Sequence, residues 1–387
     1  MTKLAIIGGG IGGLVAGIAL RKAGVEAVIY ERAPGFGEVG AGISISPNAV
    51  LGLDSLGLGE TIRALANQPL EQNQHHAHTG ELLLSIDRRE TEQKYGAPYL
   101  QLHRADLMAL LVNALGAEHC LMEKELTAID SRADGVTLSF ADGTTADADA
   151  AIAADGLRSI VREALFDSDP PVFSGHVAYR GLIPADRASA RAKEPININH
   201  LAKGRNAVSY PVRQGELINL VALSKADDWV DEGWSVKADK AQLAKTYADF
   251  APHVRDLINE LPEDELFRWG LFIRAPLNEW RSGRTVLLGD AAHPMLPYFG
   301  QGASCAIEDG VVLGRAFAET GCIDQALDTY VATRIGRASY LQSESNAGGE
   351  RLQAIDPDTF GKIAPIKNED ALDIFDYNPA EVPLVTP

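Results

Sequence analysis

The chain has 387 residues, 46 % of them hydrophobic, enough for a large core and two packed regions, and no disorder class fits that balance. A formal net charge of −18 repels nucleic acid and anionic membrane alike, so an acidic substrate would need a local basic pocket. Cys120, Cys305 and Cys322 form no C-x-x-C pair and no zinc spacing with histidine, which argues against a disulfide framework and a structural metal.

Met1 to Lys3 runs straight into the apolar segment Leu4 to Ile7, with no room for a cleavable signal, and no apolar run has the length to span a bilayer. The expected compartment is the cytoplasm. Leu4 to Ile7 predicts a strand, Gly8-Gly9-Gly10-Ile11-Gly12-Gly13 a tight turn, and Leu14 to Leu20 a helix packed on the strand. Gly8 permits the turn, Gly10 lets the backbone approach a pyrophosphate at the helix N-terminus, and Gly13 allows close helix packing. Ala27 to Tyr30 predicts a second strand ending in Glu31, where an acid meets a ribose hydroxyl; a solvated strand end is the plainer alternative.

Further along, His75-His76-Ala77-His78 is the densest histidine cluster. Neighbouring residues on a strand alternate faces and no carboxylate stands at ligand spacing, so the cluster reads as an exposed polar strand or as one histidine near a substrate pocket, not as a metal site. Glu81 to Ile86 and Pro171 to about Ser224 predict short antiparallel strands, and Asp142-Gly143 after Val136 to Phe140 predicts a hairpin. Val208 to Val212 reads as an edge strand ending at a proline, with Val208, Tyr210 and Val212 on one face. Lys240 to Phe250 and Pro252 to Leu261 read as helical.

Arg284 to Leu288 predicts a buried parallel strand with Gly289-Asp290 at its carboxyl end, where open α/β sheets bind ligands. An acid there can accept hydrogen bonds from a ribityl chain. Together with the N-terminal fingerprint it points to FAD rather than NAD. Pro297-Tyr298-Phe299-Gly300-Gln301-Gly302-Ala303 forms a Gly-rich turn, and Ser304 to Phe317 a helix whose N-terminus faces the cofactor. Ala316 to about Gln353 reads as helix. The tail from Ile355, with Pro357, Pro365, Pro379, Pro383 and Pro387, is an irregular wrap or a partner contact, a homodimer being the assembly considered.

These motifs, in this order with Leu102-His103-Arg104-Ala105-Asp106-Leu107 and Ala154-Asp155-Gly156-Leu157-Arg158-Ser159, resemble the single-component FAD-dependent aromatic hydroxylases from residue 4 to about 345. Gly40-Ala41-Gly42-Ile43, Tyr179 to Pro184, Tyr210 to Arg213 and Leu287 to Asp309 look most like the salicylate, 3-hydroxybenzoate and 6-hydroxynicotinate hydroxylases. The resemblance implies an α/β fold (α+β overall): a Rossmann-like FAD-binding domain of residues 1–72, 98–168 and 271–340, interleaved with a β-sheet substrate domain of 73–97 and 169–270, then a C-terminal helix and tail, 341–387.

It implies non-covalent FAD, with Gly8, Gly10 and Gly13 at the pyrophosphate, Glu31 at the ribose, Arg32 and Arg104 at the phosphate or ribityl region, and Asp290 on the ribityl chain. Gly42 belongs to the cofactor set, Asp155 to FAD and nicotinamide handling, and Gly300, Gly302 and Ala303 to the pyrimidine ring. Arg104 as a plain ion pair and Asp155 as a helix N-cap are the bland alternatives. His293 reads as part of a turn signature.

The implied reaction consumes NADH or NADPH and O2, forms a flavin C4a-hydroperoxide, and hydroxylates a hydroxylated aromatic or pyridine carboxylic acid, with or without decarboxylation. Tyr210 and Pro297 are the catalytic candidates; Ser44, Asn206, Tyr210 and Phe299 are the substrate contacts. Asn206 and Ser44 stand where relatives carry histidine, so the proton would go to Tyr210, to water, or to another histidine. Arg180, Arg213 and Arg274 are the candidate carboxylate partners or structural ion pairs. The rival readings are a flavoprotein oxidase or dehydrogenase and a redox-sensing flavin binder.

Overall fold

The computed structural model describes residues 2–37, 41–166, 169–227, 229, 236–360, 369 and 372–387; Gly40 and Pro365 of the patterns above lie outside them. The apolar run Lys3–Ile7 becomes the centre of a six-stranded sheet ordered Arg281–Ser282, Thr285–Leu287, Ala150–Ala153, Lys3–Ile7, Glu26–Tyr30, Cys120–Leu121. All pairings are parallel except the edge pair Arg281–Ser282 with Thr285–Leu287. Parallel strands are covered on both faces, hence the unbroken burial of Leu4, Ala5, Ile6 and Ile7.

The fingerprint helix Ile11–Lys22 packs against the long helix Gly302–Thr320. The approach is close because Gly310 and Gly314 carry no side chain: a Cβ there would lie 2.8 Å from the Ala16 nitrogen and 2.5 Å from the Ala19 Cβ. The helical stretch expected to run unbroken from Ala316 is two helices. Gly321 takes a left-handed φ of +69° and closes the first, and Ile323–Ala354 forms the second, because a glycine free to adopt that conformation ends a helix. The tail wraps back on its own chain, with Arg315 donating to the carbonyls of Pro379 and Val382 and Phe375 fully buried. No helix among the described residues is long and apolar enough to cross a membrane.

A second sheet has eight strands, ordered Val236–Lys237, Phe267–Ile273, Val172–Pro184, Leu217–Lys225, Arg205–Val212, Ile196–Ala202, Glu71–His76, Leu82–Asp87. Arg205–Val212 is thus interior, not the edge strand that Pro211 suggested. Its pairing with Ile196–Ala202 runs only through Ser209, so the missing N–H of Pro211 lies beyond that ladder. Lys240–Thr246, shorter than expected, and Pro252–Glu260 cover the face away from the first sheet.

On that covered face His75, His200 and His253 stack, with ring centroids 5.3 Å apart at each step. Neither ring nitrogen of His200 has a partner among the described residues. Burial pushes all three below the usual histidine range, His253 to about 4. The native stack therefore stays neutral while the unfolded chain gains protons below about pH 6.5, so stability is full above that pH and drains as pH falls, by up to about 1.4 kcal/mol per unit per histidine. Melting temperature should drop between pH 7 and 4.5, with a shallower slope for His253→Asn. Equal slopes would mean that His253 takes up no extra proton on unfolding.

Candidate active site

Between the two sheets lies one continuous cavity of about 1770 Å³. Gly8, at the end of the first strand, has a φ of +103°, and a Cβ on it would sit 2.3 Å from the Ala154 carbonyl oxygen. Only glycine fits there. A Cβ at Gly10 would meet nothing within 4 Å, so the helix N-terminus opens onto the cavity with its amides free for a pyrophosphate. Gly13 does not line the cavity; a Cβ on it would lie 2.1 Å from the Gly8 carbonyl oxygen, and its place is in helix packing.

Glu31 and Arg32 line the same end. The Glu31 carboxylate accepts from the N–H of Gly9 at 2.7 Å and of Ala33 at 2.8 Å, bracing the turn. Arg104, Asp155 and Asp290 line the cavity as well, Asp155 beside Gly8. The helix cap is Ser159, whose hydroxyl accepts from Arg162 N–H at 2.9 Å, and Asp155 is one turn away: its Oδ2 accepts from Val161 N–H at 3.3 Å while buried Oδ1 has no partner among the described residues. That lone oxygen, the open helix end at Gly10 and the carboxylate of Asp290 fit a cofactor rich in hydroxyls and phosphate.

Burial raises the Asp290 carboxyl above its usual range, and the charges of His293 and Arg104 oppose the shift. Asp290→Ala should weaken FAD about tenfold or more, since a hydrogen bond to a charged group is worth about 1.5–3 kcal/mol. The ratio of flavin to protein absorbance after purification and dilution reads this. Wild-type retention would remove Asp290 from the FAD site.

Pro297–Phe299 make a short turn, Gly300 follows at φ +63°, and the helix from Gly302 begins; Pro297, Phe299, Gly300, Gly302 and Ala303 all line the cavity. Ser44, Asn206 and Tyr210 line it too, Ser44 beside Gly300. Gly42 holds this wall together: its N–H donates to Asn219 Oδ1 at 2.8 Å, and a Cβ would come within 2.7 Å of the Tyr210 ring. Tyr210 is 6 % exposed, and burial, with neighbouring Tyr99, drives its phenol well above its usual range, against the pull of the Ser44 hydroxyl. Tyr99 went unnoticed in the sequence because nothing in Ala97-Pro98-Tyr99-Leu100 marks it.

None of His75, His76 or His78 lines the cavity. His76 instead meets Asp358 at 3.1 Å, and His78 the Asp249 carbonyl at 2.9 Å. Arg213 pairs with Asp106 at 2.8 Å and Arg274 with Glu163 at 2.7 Å, both away from the cavity, whereas Arg180 lines it over the Trp269 ring.

His293 is fully buried and donates to Asp309 at 2.6 Å, with the Cys305 sulfur 3.9 Å away. These three side chains have metal-ligand atoms within 4.8 Å of one another. Burial opposes a charged imidazole, but Cys305 and Asp309 outweigh it and raise His293, while Arg334 reaches both Asp309 and Cys305. The Arg334 guanidinium already sets a positive charge against two of these three side chains, which disfavours a second cation beside them.

A Rossmann sheet carrying a glycine fingerprint, joined through one cavity to a mostly antiparallel sheet, defines a flavin-dependent hydroxylase. Residues 1–345 match the family described as FAD binding domain, and the chain belongs to that family. It is 36 % identical over 359 residues, 92 % of this chain and 89 % of the relative, to 3-amino-4-hydroxybenzoate 2-monooxygenase PtmB3 of Streptomyces platensis. With 6-hydroxynicotinate 3-monooxygenase of Pseudomonas fluorescens it shares 33 % over 392 residues, 100 % of this chain and 97 % of the relative. Klebsiella pneumoniae HpxO complexed with FAD and uric acid superposes with a TM-score of 0.86 at 26 % identity, over 97 % of this chain and 96 % of that one. The protein is an FAD-dependent aromatic monooxygenase.

Proposed function

We propose that the enzyme uses NAD(P)H and O2 to hydroxylate a small ring that already bears a hydroxyl, a benzene or pyridine carboxylic acid of the kind named in its relatives. The observation that carries this is the shared cavity, lined by Gly8, Gly10 and Gly12 of the fingerprint and by Asp290 as well as by Tyr210 and Asn206. Its volume exceeds the roughly 300–1,000 Å³ of a pocket for one drug-sized ligand, leaving space for an extended dinucleotide and a ring. When bound and reduced, the flavin supplies electrophilic oxygen taken from O2.

The chain does the rest. Tyr210, with its phenol held protonated, donates to the ring oxygen and stabilises the negative charge that activates the ring. Ser44 and Phe299 bound the ring's position, Pro297 stands at the oxygen side, and the apolar wall of Val208, Val221 and Leu223 excludes water. Asn206 makes a hydrogen bond rather than taking a proton.

Turnover with isotopically labelled dioxygen tests the reaction. One labelled atom should enter the product, with NAD(P)H oxidation accelerated by the ring. Label arriving from water would overturn it.

A further inference from the structure

The cavity face of the eight-stranded sheet carries a patch of amides that the reaction above does not explain. Side chains alternate along strands, so Gln72 and Gln74, Asn197 and Asn199, and Asn206, Val208 and Tyr210 share that face. Register places Arg180, Val221, Val208, Asn199 and Gln74 in one row across five strands. Asn206 donates to Asn199 Oδ1 at 3.1 Å, and Asn199 donates to Gln74 Oε1 at 2.9 Å, a ladder of three side-chain amides. Asparagine is disfavoured in strands, and here Asn199 and Asn206 are 7 % and 3 % exposed.

The ladder is not saturated. Asn199 keeps one N–H and one oxygen lone pair, and Gln74 keeps both hydrogens of Nε2. Turning the amides end for end leaves the same mixture of donor and acceptor. Asn197, two residues along the strand, makes no side-chain hydrogen bond with a described residue. The row's cation is remote: Arg180 stands three strands from Asn199, about 14 Å of sheet, with its guanidinium 4.9 Å from the Trp269 ring centre. The patch therefore offers paired neutral donors and acceptors beside Tyr210 and is poorly suited to a carboxylate.

We propose that this ladder is a lactam-recognition subsite, and that the substrate is a hydroxypyridine bound as its pyridone, with ring N–H and adjacent carbonyl pairing with a side-chain amide. A lactam presents donor and acceptor on neighbouring atoms and closes a two-bond ring with a primary amide. A phenol carries both functions on one oxygen and leaves an amide valence unpaired in a closed site, which is how a polar site rejects an analogue. The inference rests on the proposed ring hydroxylation and narrows its substrate from benzene or pyridine to pyridine.

The test is ligand binding to the oxidised, FAD-loaded enzyme, read from the visible flavin spectrum without NAD(P)H. 6-Hydroxynicotinate and 4-hydroxybenzoate share a carboxylate opposite the oxygen and differ at one ring atom; their carboxamides form a second, uncharged pair. Each pyridone should bind about tenfold or more tightly than its benzene partner. Asn199→Leu and, separately, Gln74→Ala should shrink that ratio to about twofold while FAD content, the check on folding, stays unchanged. Equal binding within the pairs, a ratio that survives both substitutions, or no measurable binding by either pyridone overturns the subsite. Binding of pyridones that are never hydroxylated would sink the activity and keep the subsite; hydroxylation of 4-hydroxybenzoate alone would do the reverse.

Discussion

Arg334→Leu is expected to cost about 3–5 kcal/mol of stability, enough to unfold the enzyme near body temperature, because it leaves two buried carboxylates short of their partner. Arg334 is fully buried, 2.7 Å from Glu308 and 2.8 Å from Asp309. Asp309 also takes His293, and Glu308 also takes Arg337 and the Asn48 amide. Burial works against both carboxylates, yet the cations hold them low, Asp309 at about 2. Their stabilisation is present at neutral pH and is lost only in strong acid.

Because Glu308 and Asp309 sit on the helix Gly302–Thr320, the loss should reach the flavin end, and FAD content should fall with stability. Arg337→Leu is the control: Glu308 keeps Arg334, so the cost should be markedly smaller. Urea unfolding of both variants reads the difference. An Arg334→Leu midpoint equal to wild type would show that the ion cluster contributes no net stability.

What could be read from sequence was local chemistry. Gly8, Gly10, Glu31 and Asp290 each sit where a strand ends, and the residue types needed there are few, so the cavity's cofactor end was legible. The amide ladder was not, since Gln74 and Asn199 are 125 residues apart and meet only through the parallel pairing of Glu71–His76 with Ile196–Ala202. Alternation correctly separates His75 from its neighbours but cannot tell which face meets the cavity, and His75 went to the helix-covered side. Pro211 suggested an edge because proline breaks a ladder, whereas the pairing with the neighbouring strand already ends at Ser209, two residues before it. Gly321, between Thr320 and Cys322, was a local break that the Ala- and Arg-rich composition of the whole stretch outweighed.

Tyr210→Phe is expected to lower turnover about a hundredfold or more with little loss of stability. The ring, packed against Gly42 and within the cluster of Leu182 and Val212, is kept, so the change removes one hydroxyl. A mere positioning contact would cost about 0.5–1.5 kcal/mol, seen mainly in substrate affinity. A donor aimed at charge that grows in the transition state is worth about 10²–10³ in kcat. The phenol's position argues for the second. Burial, with Tyr99 beside it, holds the phenol's proton more tightly than a free phenol does, which favours the donor over the base among the two roles the sequence left open to it. The signature is then a drop in kcat with NAD(P)H still consumed, hydrogen peroxide replacing hydroxylated product, because activated oxygen meets a ring that has not been made nucleophilic. Raising the pH should partly rescue the variant, since a substrate hydroxyl that ionises unaided needs the donor less. If kcat, coupling and affinity all match wild type, Tyr210 is a packing residue and the ring binds elsewhere in the cavity.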